Sequence, residues 1–387
     1  MASRCAFAFL VLLGLPTTLS SQWDLDPSID ERLQRGIDHI YNLEFYDADK
    51  LFDEVIRFSP DHPAGYFFRA MTQWWRILAE YDNESQDDRF YDMLENVIEM
   101  CDEQLEKNPD DITALFFKGG SLGFRGRLRA NRGNWFGAAK DGLAALPIVQ
   151  QAYKLDPENY DVLLGIGIYN YYAEVIPDEY PIVKPFMVFF PSGDRQKGIQ
   201  QLRLASEHAR YAKTEAKYFL MQNHFQYEKN YVVSMGLAKE LNKRYPRNPV
   251  FLRYVGRCHV SLGGWEEAFR IFSEVLRRHT ERQVGFDRYD AREAYYYVGK
   301  YFFGVGQMEE ALQNFLRCDE ISRGLDKEGA SGFMSMANLH IGMIHDMRHE
   351  RDHAVEQYRK VLRMKEYENS HRDAGRYAES PYRGQGR

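Results

Sequence analysis

Three segments of this sequence follow one another at a constant step of 43 residues: VGRCHVSLGGWEEAFRIFSEV (255–275), VGKYFFGVGQMEEALQNFLRC (298–318) and IGMIHDMRHERDHAVEQYRKV (341–361). In each, a Gly is followed twelve residues later by an Ala, and a large ring lies four residues beyond the Ala. With a copy near the N-terminus, the pairs are Gly36/Ala48, Gly256/Ala268, Gly299/Ala311 and Gly342/Ala354. An internal period of this size predicts a repeat architecture, and small residues at fixed points allow two helices to approach closely.

The pattern resembles the tetratricopeptide repeat (TPR), which places Gly, Ala, an aromatic residue and Pro at such offsets on two antiparallel helices. The N-terminal copy also has Pro60 twelve residues after its Ala. The usual TPR period is about 34 residues, so the longer step implies longer loops or helices. The resemblance is clear over 30–62 and 249–366. It implies an all-α fold, an α-solenoid in which each hairpin buries its face against its neighbours.

The part between these copies is degenerate. NPDD (108–111) and LDPEN (155–159) predict the ends of second helices, because Pro with Asp or Asn stops a helix and turns the chain. Gly167 and Gly198 indicate one hairpin that is split by an insertion at about 174–193. We therefore predict about seven or eight TPR-like hairpins and no β-sheet.

Two terminal segments flank the solenoid, which we expect to span 21–366. Residues 1–20 have Arg4 ahead of an apolar run and small residues up to Ser20, the pattern of a secretory signal peptide. This predicts export to a periplasmic or extracellular location. Residues 367–387 contain Gly, Arg, Ser and Pro without periodicity, and we expect this tail to be disordered.

Composition excludes several classes of function. The formal net charge of −7 does not favour nucleic-acid binding, which usually needs a basic face. After residue 20, no stretch is long and apolar enough to predict a transmembrane segment. Cys101, Cys258 and Cys318 are isolated, which favours small buried hydrophobic side chains over a disulfide framework. The sequence has no P-loop and no strand-linked dinucleotide motif, so we expect no cofactor.

The TPR resemblance implies a concave groove, whose positions lie six and three residues before the Gly and one and four after it. In the units of Gly256 and Gly299, these positions include Glu293 and Phe303. The groove candidates for ligand binding are Arg253, Arg257, Tyr296, Lys300, Asn223 and Tyr171. The two arginines share a helix face. They either bind a partner or pair with Glu293 and its neighbours, and the sequence leaves both open.

A second candidate is the segment GFRGRLRANRGNW (123–135), which contains Arg125, Arg127, Arg129 and Arg132. Such a cluster ahead of a helix at 136–155 could bind a phosphate or carboxylate through bidentate hydrogen bonds. The alternative is an exposed connector whose arginines pair with nearby acidic residues.

The segment HERDH (349–353) matches the H-E-x-x-H pattern of zinc peptidases, with His349 and His353 as ligands and Glu350 as general base. The repeat register instead places it at the turn between two helices, because Ala354 is the small position of the second helix. A catalytic zinc also needs a third protein ligand. We expect no metal site and no catalysis here.

The insertion PDEYPIVKPFMVFFPSGDRQKG (177–198) breaks the helical pattern with four prolines, and residues 191–194 predict a turn and helix cap. Its apolar run (186–190) is a packed lid, a partner-binding patch or a membrane-surface contact. The flanking GIGIYNYYAEVIP and PSGDRQKG resemble segments of little-characterised exported bacterial TPR proteins.

These observations predict an exported TPR scaffold that binds a protein or peptide in its concave groove, without catalysis and with peripheral association with the envelope as one option. The high aromatic content of 14% supports a second hypothesis, a solenoid that binds a glycan or small ligand on an aromatic wall. A third and weaker hypothesis is a zinc metallopeptidase built on the HERDH segment.

Overall fold

The structure is a computed structural model, and it describes residues 25–179, 181, 184–187, 191–327 and 329–384. The predicted signal peptide (1–20) lies outside the described residues, as does most of the apolar run in the insertion. All regular secondary structure in the described ranges is helical. This confirms the all-α prediction.

The helices are α1 Pro27–Tyr41, α2 Phe45–Phe58, α3 Pro63–Ala79, α4 Asp87–Lys107, α5 Ile112–Asn131, α6 Trp135–Leu155, α7 Tyr160–Glu179, α8 Lys184–Met187, α9 Arg195–His208, α10 Lys213–Gln226, α11 Tyr231–Arg244, α12 Pro249–Ser261, α13 Trp265–Thr280, α14 Arg288–Gly304, α15 Met308–Leu325, α16 Gly332–Met347, α17 Arg351–Leu362 and α18 Ser370–Glu379, with a 3₁₀ turn at Glu84–Gln86.

Consecutive helices pack as antiparallel hairpins, and the described part contains eight of them. We number the hairpins one to eight: α1–α2, α3–α4, α5–α6, α7–α9, α10–α11, α12–α13, α14–α15 and α16–α17. Local sequence explains many of the boundaries. In the NPDD segment, for example, Asp111 caps α5 by accepting a hydrogen bond from the backbone N–H of Ala114 at 3.0 Å. The predicted α-solenoid is therefore confirmed.

Each repeat glycine makes room for the ring of its own hairpin. A Cβ atom added to Gly36 would lie 2.5 Å from a ring carbon of Phe52, which has no exposed surface. The same relation joins Gly256 to Phe272 at 2.9 Å and Gly342 to Tyr358 at 2.6 Å. The glycine thus faces the ring four residues beyond the Ala, and not the Ala itself. This contact explains the constant spacing between the Gly and the ring in the repeats.

The fourth hairpin consists of α7 and α9, and α7 continues through Pro177 to Glu179, beyond the predicted start of the insertion at about 174. Gly198 on α9 packs against α7 so closely that an added Cβ would lie 2.6 Å from the backbone nitrogen of Tyr171 and 2.9 Å from the carbonyl oxygen of Gly167. The end of the insertion lies against the same helix, because the backbone N–H of Asp194 donates to the carbonyl of Asn170 at 2.9 Å. The side chain of Asp194 then caps α9. Residues 191–194 are therefore packed on the solenoid.

The first hairpin lies against the fifth, although about 200 residues separate them in sequence. Arg210 donates to Asp30 at 2.6 Å, and Tyr41 donates to Glu215 at 2.7 Å. The Tyr41 ring also lies 5.5 Å from the ring of Tyr245. A simple solenoid would bury each unit only against its neighbours. Here hairpins one to five close on themselves, and they share with α12 of the sixth hairpin one hydrophobic core that runs from Leu25 to Cys258.

The three cysteines of the described part are free and buried. Burial raises the pKa of the Cys101 thiol to about 12, because desolvation disfavours the thiolate. The prediction that these side chains act as small hydrophobic residues is confirmed. Within the described ranges, no helix combines the length and the apolar character that crossing a membrane requires.

The prediction of a disordered tail from residue 367 is wrong for most of that segment. Ser370–Glu379 form α18, and Ala374 is completely buried against the last hairpin. Arg351 fixes the end of this helix by donating to the backbone carbonyls of Tyr377 at 2.8 Å and Ala378 at 2.6 Å. The helix caps the solenoid, because it covers the apolar face that a ninth hairpin would otherwise cover.

Gly36→Ala should destabilise the protein by about 1–3 kcal/mol, because the new methyl group overlaps the buried ring of Phe52. Gly236→Ala is the matched control, since it also lies inside a helix but has no atom within 4 Å of the added Cβ. It should stabilise the protein by up to about 1 kcal/mol. Equilibrium denaturation measures both changes, and equal effects of the two substitutions would contradict the ring contact.

Candidate functional site

Arg253 and Arg257 on α12 form a buried ion network with α14. Arg253 donates to Glu293 at 2.8 Å and also pairs with Asp290, and Arg257 donates to Glu293 at 2.7 Å. The Glu293 side chain is only 1% exposed. Burial alone would raise the pKa of Glu293, but the charges of Arg257 and Arg253 outweigh it and lower the pKa to about 2. These charges connect hairpins six and seven.

Lys300 has a different environment, although it lies on the same strip of first helices. Its ammonium group is partly buried and donates to Nε2 of His340 at 3.2 Å. Nδ1 of His340 in turn contacts the carbonyl of Met336 at 2.7 Å. Burial and the charge of Lys300 lower the pKa of His340 to about 3, so this ring is neutral near pH 7. Among the described residues, no carboxylate lies within 4.0 Å of the Lys300 ammonium group.

Tyr296 and Phe303 flank Lys300 on α14. The rings of both residues contact His340, with centroids 6.2 Å and 5.3 Å away, so one neutral imidazole joins the three groove candidates of this hairpin. Burial lowers the pKa of Lys300, and the more distant carboxylate of Glu368 opposes that shift. The structure therefore places one weakly compensated cation among aromatic side chains.

The C-terminal arm, which we define as residues 380–384, lies over the same strip. The ring of Tyr382 is 6.2 Å from the ring of Phe303, and its backbone N–H donates to Asp346 at 2.8 Å. Asp346 is four residues beyond Gly342, which is a groove-facing position in the TPR register. The arm thus covers groove positions in hairpins seven and eight. The roles of His340 and of the arm could not be predicted from the sequence, because they depend on contacts between hairpins. Asp346 could have been found from the repeat register alone.

Tyr171 and Asn223 do not line an open groove, contrary to the sequence prediction. Both are completely buried. Tyr171 donates to Glu228 at 2.7 Å, and Asn223 accepts a hydrogen bond from Tyr172 at 2.7 Å. They belong to hairpins four and five, where the closed arrangement fills the interior with side chains. A partner has no access to either residue in this structure.

Arg125, Arg129 and Arg132 lie on α5 and at its end, and not on an exposed connector. Arg125 and Arg129 both donate to Asp141, at 2.7 Å and 2.6 Å, and the Asp141 side chain is 1% exposed. Arg132 donates to Asp87 at 2.7 Å. Arg125 also pairs with Glu95 on α4, so these three arginines bind three carboxylates and connect neighbouring helices.

Arg127 points in another direction, toward the interior of the closed part. It donates to Glu215 at 3.1 Å, and its guanidinium lies 4.7 Å from the ring centre of Phe219 and 5.1 Å from that of Trp74. The four arginines of the predicted cluster are thus divided between the two sides of α5. The structure does not bring them together around one anion position.

The HERDH segment forms the turn between α16 and α17, as the repeat register predicted. His349 is in the turn with φ +64°, and the side chain near Glu350 and His353 is His345 from the preceding helix. The ligand atoms of His345, Glu350 and His353 lie within 4.8 Å of one another, so these three groups could approach an ion. His353 of the motif therefore lies beside His345, whereas the other motif histidine, His349, is not part of this group.

The contact of His345 with Glu350 also has a structural explanation. His345 Nδ1 lies 2.6 Å from the Glu350 carboxylate, and His39 and Glu44 make the same contact at 2.6 Å in the first hairpin. Each His is three residues and each Glu eight residues beyond the repeat glycine. The pair therefore recurs as a connection across the hairpin turn.

No protein-family profile matches the sequence, and no curated relative matches it. Among solved structures, a chain of the APC/C hetero-tetramer Cut9–Hcn1 is similar with a TM-score of 0.53 at 11% identity, covering 89% of this chain and 55% of that chain. This protein thus spans about half the length of that chain. Together with the Gly–ring hairpins, the likeness decides the fold. The chain is a TPR-type α-solenoid.

Two further TPR-type solenoid matches have lower scores. Human IFIT1, in a dimer with m7Gppp-AAAA, has a TM-score of 0.44 at 12% identity, with 91% of this chain and 85% of that chain covered. Yeast Tom70 has a TM-score of 0.40 at 11% identity, with 88% and 86% covered. At these identities and scores, the likeness says nothing about the ligand of this solenoid.

Arg253→Ala should lower the free energy of unfolding by about 3 kcal/mol, because it leaves the buried carboxylate of Glu293 with Arg257 as its one remaining ion-pair partner and removes the hydrogen-bond donor to the buried side chain of Asp290. Arg270→Ala is the control. Its side chain is 62% exposed and pairs with exposed glutamates, so the loss should stay below about 1 kcal/mol. Chemical denaturation of both variants tests this, and similar losses would show that the network is not a structural requirement.

Proposed function

We propose that the mature chain is an exported TPR scaffold, without catalysis, that binds a protein or peptide partner along the concave strip of hairpins six to eight. The fold supports a role as an interaction scaffold, since the stacked first helices offer a continuous surface. Hairpins one to five are closed and filled, which leaves the later hairpins as the accessible part of this surface. The identity of the partner is not part of the proposal.

The proposal rests on the environment of the Lys300 ammonium group, which is partly buried and has no carboxylate among its described contacts. The neighbouring cations Arg253 and Arg257 share the buried carboxylate of Glu293, whereas Lys300 has a neutral imidazole as its hydrogen-bond acceptor. A partly buried ammonium group with no carboxylate in contact has lost part of its hydration, and the more distant Glu368 supplies only part of the missing counter-charge. A carboxylate from a partner would supply the remaining counter-charge.

The chemistry of the strip suits a partner segment that contains an acidic side chain or a chain terminus. Such a carboxylate would form a charge-assisted hydrogen bond with Lys300, while the ring of Tyr296 offers an adjacent apolar contact. The ion network of α12 and α14 would hold this strip at a fixed geometry. Binding would then depend on a small number of side chains near the centre of the contact.

Lys300→Met should reduce capture of the partner at least tenfold, because it removes the charge but keeps most of the aliphatic side chain. Lys50→Met on the exposed side of α2 is the matched control and should leave capture unchanged. The measurement is affinity capture from the envelope fraction of the source cells with residues 21–387, with each bound protein quantified against the wild-type chain.

Both variants should keep the wild-type melting temperature within a few degrees, which separates a binding defect from unfolding. Wild-type capture by Lys300→Met would remove Lys300 from the site and would leave the location of the groove without support.

Export is part of the same proposal, and it rests on the signal-peptide pattern of residues 1–20. Expression of the full chain in its source should give an envelope or secreted form whose N-terminal sequence begins near Ser21. A cytoplasmic form that keeps Met1 would contradict export, and it would leave the binding proposal to be tested in that compartment.

A further inference from the structure

The C-terminal arm makes two kinds of contact with the strip, and they differ in what they recognise. The backbone N–H of Tyr382 binds the carboxylate of Asp346, a contact that almost any residue at this position could make. The ring of Tyr382 packs between Phe303 and Tyr377, at centroid distances of 6.2 Å and 5.1 Å. This second contact requires an aromatic side chain.

Asp346 is held in place before the arm binds. Its side chain is 1% exposed, accepts two hydrogen bonds from Arg351 at 2.9 Å and 3.1 Å, and accepts one from the Tyr358 hydroxyl at 2.8 Å. These partners belong to the last hairpin and not to the arm. The acceptor is therefore already oriented, which lowers the entropy cost of binding a backbone N–H group.

The arm follows α18 and is not part of a helix. Residues 381 and 383 on either side of Tyr382 are exposed, and the backbone after residue 379 is not helical, with Ser380 in an extended conformation. A non-helical segment that contacts the solenoid through a backbone N–H group and an aromatic ring resembles a bound peptide more than a helical element of the fold. Since α18 anchors it a few residues away, its effective concentration at the strip is on the order of millimolar.

The arm lies close to the ammonium group of Lys300. His340 contacts the ring of Phe303 and accepts the hydrogen bond of Lys300, so the aromatic contact and the ammonium group lie on two sides of one imidazole. A segment that used both would combine an aromatic residue with a nearby carboxylate.

We propose that Phe303 and Asp346 form a pocket for an extended segment with one aromatic residue beside a carboxylate, and that Tyr382 of the C-terminal arm occupies this pocket until such a partner displaces it. This inference rests on the proposed function and adds to it the class of partner and a built-in competitor. The arm reduces the apparent affinity for partners by the fraction of molecules in which the pocket is filled.

The test uses the chain from residue 21 to 387 and a fluorescent synthetic peptide with the sequence of residues 378–387. Wild-type chain should bind this peptide weakly, because its own arm fills the pocket. Tyr382→Ala in the chain should increase the affinity for the peptide at least tenfold, as read by fluorescence anisotropy. Tyr382→Phe should behave as the wild type, since the ring is retained.

Three controls make the result specific. A peptide in which Ala replaces the tyrosine should show no gain with the Tyr382→Ala chain. Adding Phe303→Ala to that chain should abolish the gain. Tyr46→Ala, which removes an 81% exposed ring on α2 of the first hairpin, should change nothing. Circular dichroism and melting of each variant confirm that the fold is retained.

Equal affinity of the wild-type and Tyr382→Ala chains for the peptide would overturn the proposal, as would a gain that does not depend on the peptide's tyrosine. The outcome is independent of the capture experiment. If Lys300→Met abolishes capture while Tyr382→Ala changes neither capture nor peptide binding, the scaffold function stands and the arm is not its competitor.

Discussion

The buried carboxylate of Glu215 connects three parts of the chain that are far apart in sequence. It accepts hydrogen bonds from Tyr41 of the first hairpin and Arg127 of the third, and it belongs itself to the fifth. The guanidinium of Arg127 also lies over the ring of Phe219. A buried charge needs such partners, and removing one of them would leave the others in a low-dielectric interior. The closed arrangement of hairpins one to five, and with it the filled interior, depends on this junction.

The closure divides the solenoid into two parts with different properties. In hairpins one to five, the inner faces of the first helices are core, and even polar side chains such as Asn223 are completely buried. In hairpins six to eight, the inner strip keeps partly exposed groups such as Lys300. The same repeat positions therefore have different roles, which depend on whether another part of the chain covers them. Only the later hairpins retain the groove that the repeat architecture implies.

This division also explains what could be predicted from the sequence. The Gly and the ring lie within one hairpin, so the spacing of Gly36 and Phe52 could be recognised from a single sequence. Asp194 and Gly198 gave equally local signals for the cap and the close approach of α9. The contact between Asp30 and Arg210 left no such signal, because it depends on the summed curvature of several hairpins. For the same reason, the TPR register predicted that Tyr171 and Asn223 line a groove, whereas the closure of hairpins one to five buries both residues.

The closure also has a consequence for the order in which the molecule can assemble. An open solenoid can begin to fold at any hairpin and extend to its neighbours. Here α1 leaves the ribosome first, yet its partners Arg210, Glu215 and Tyr245 are made about 170 to 210 residues later. At usual synthesis rates that delay is on the order of ten seconds or more. During this interval the apolar face of the first hairpin is incomplete, and a chaperone has time to engage it.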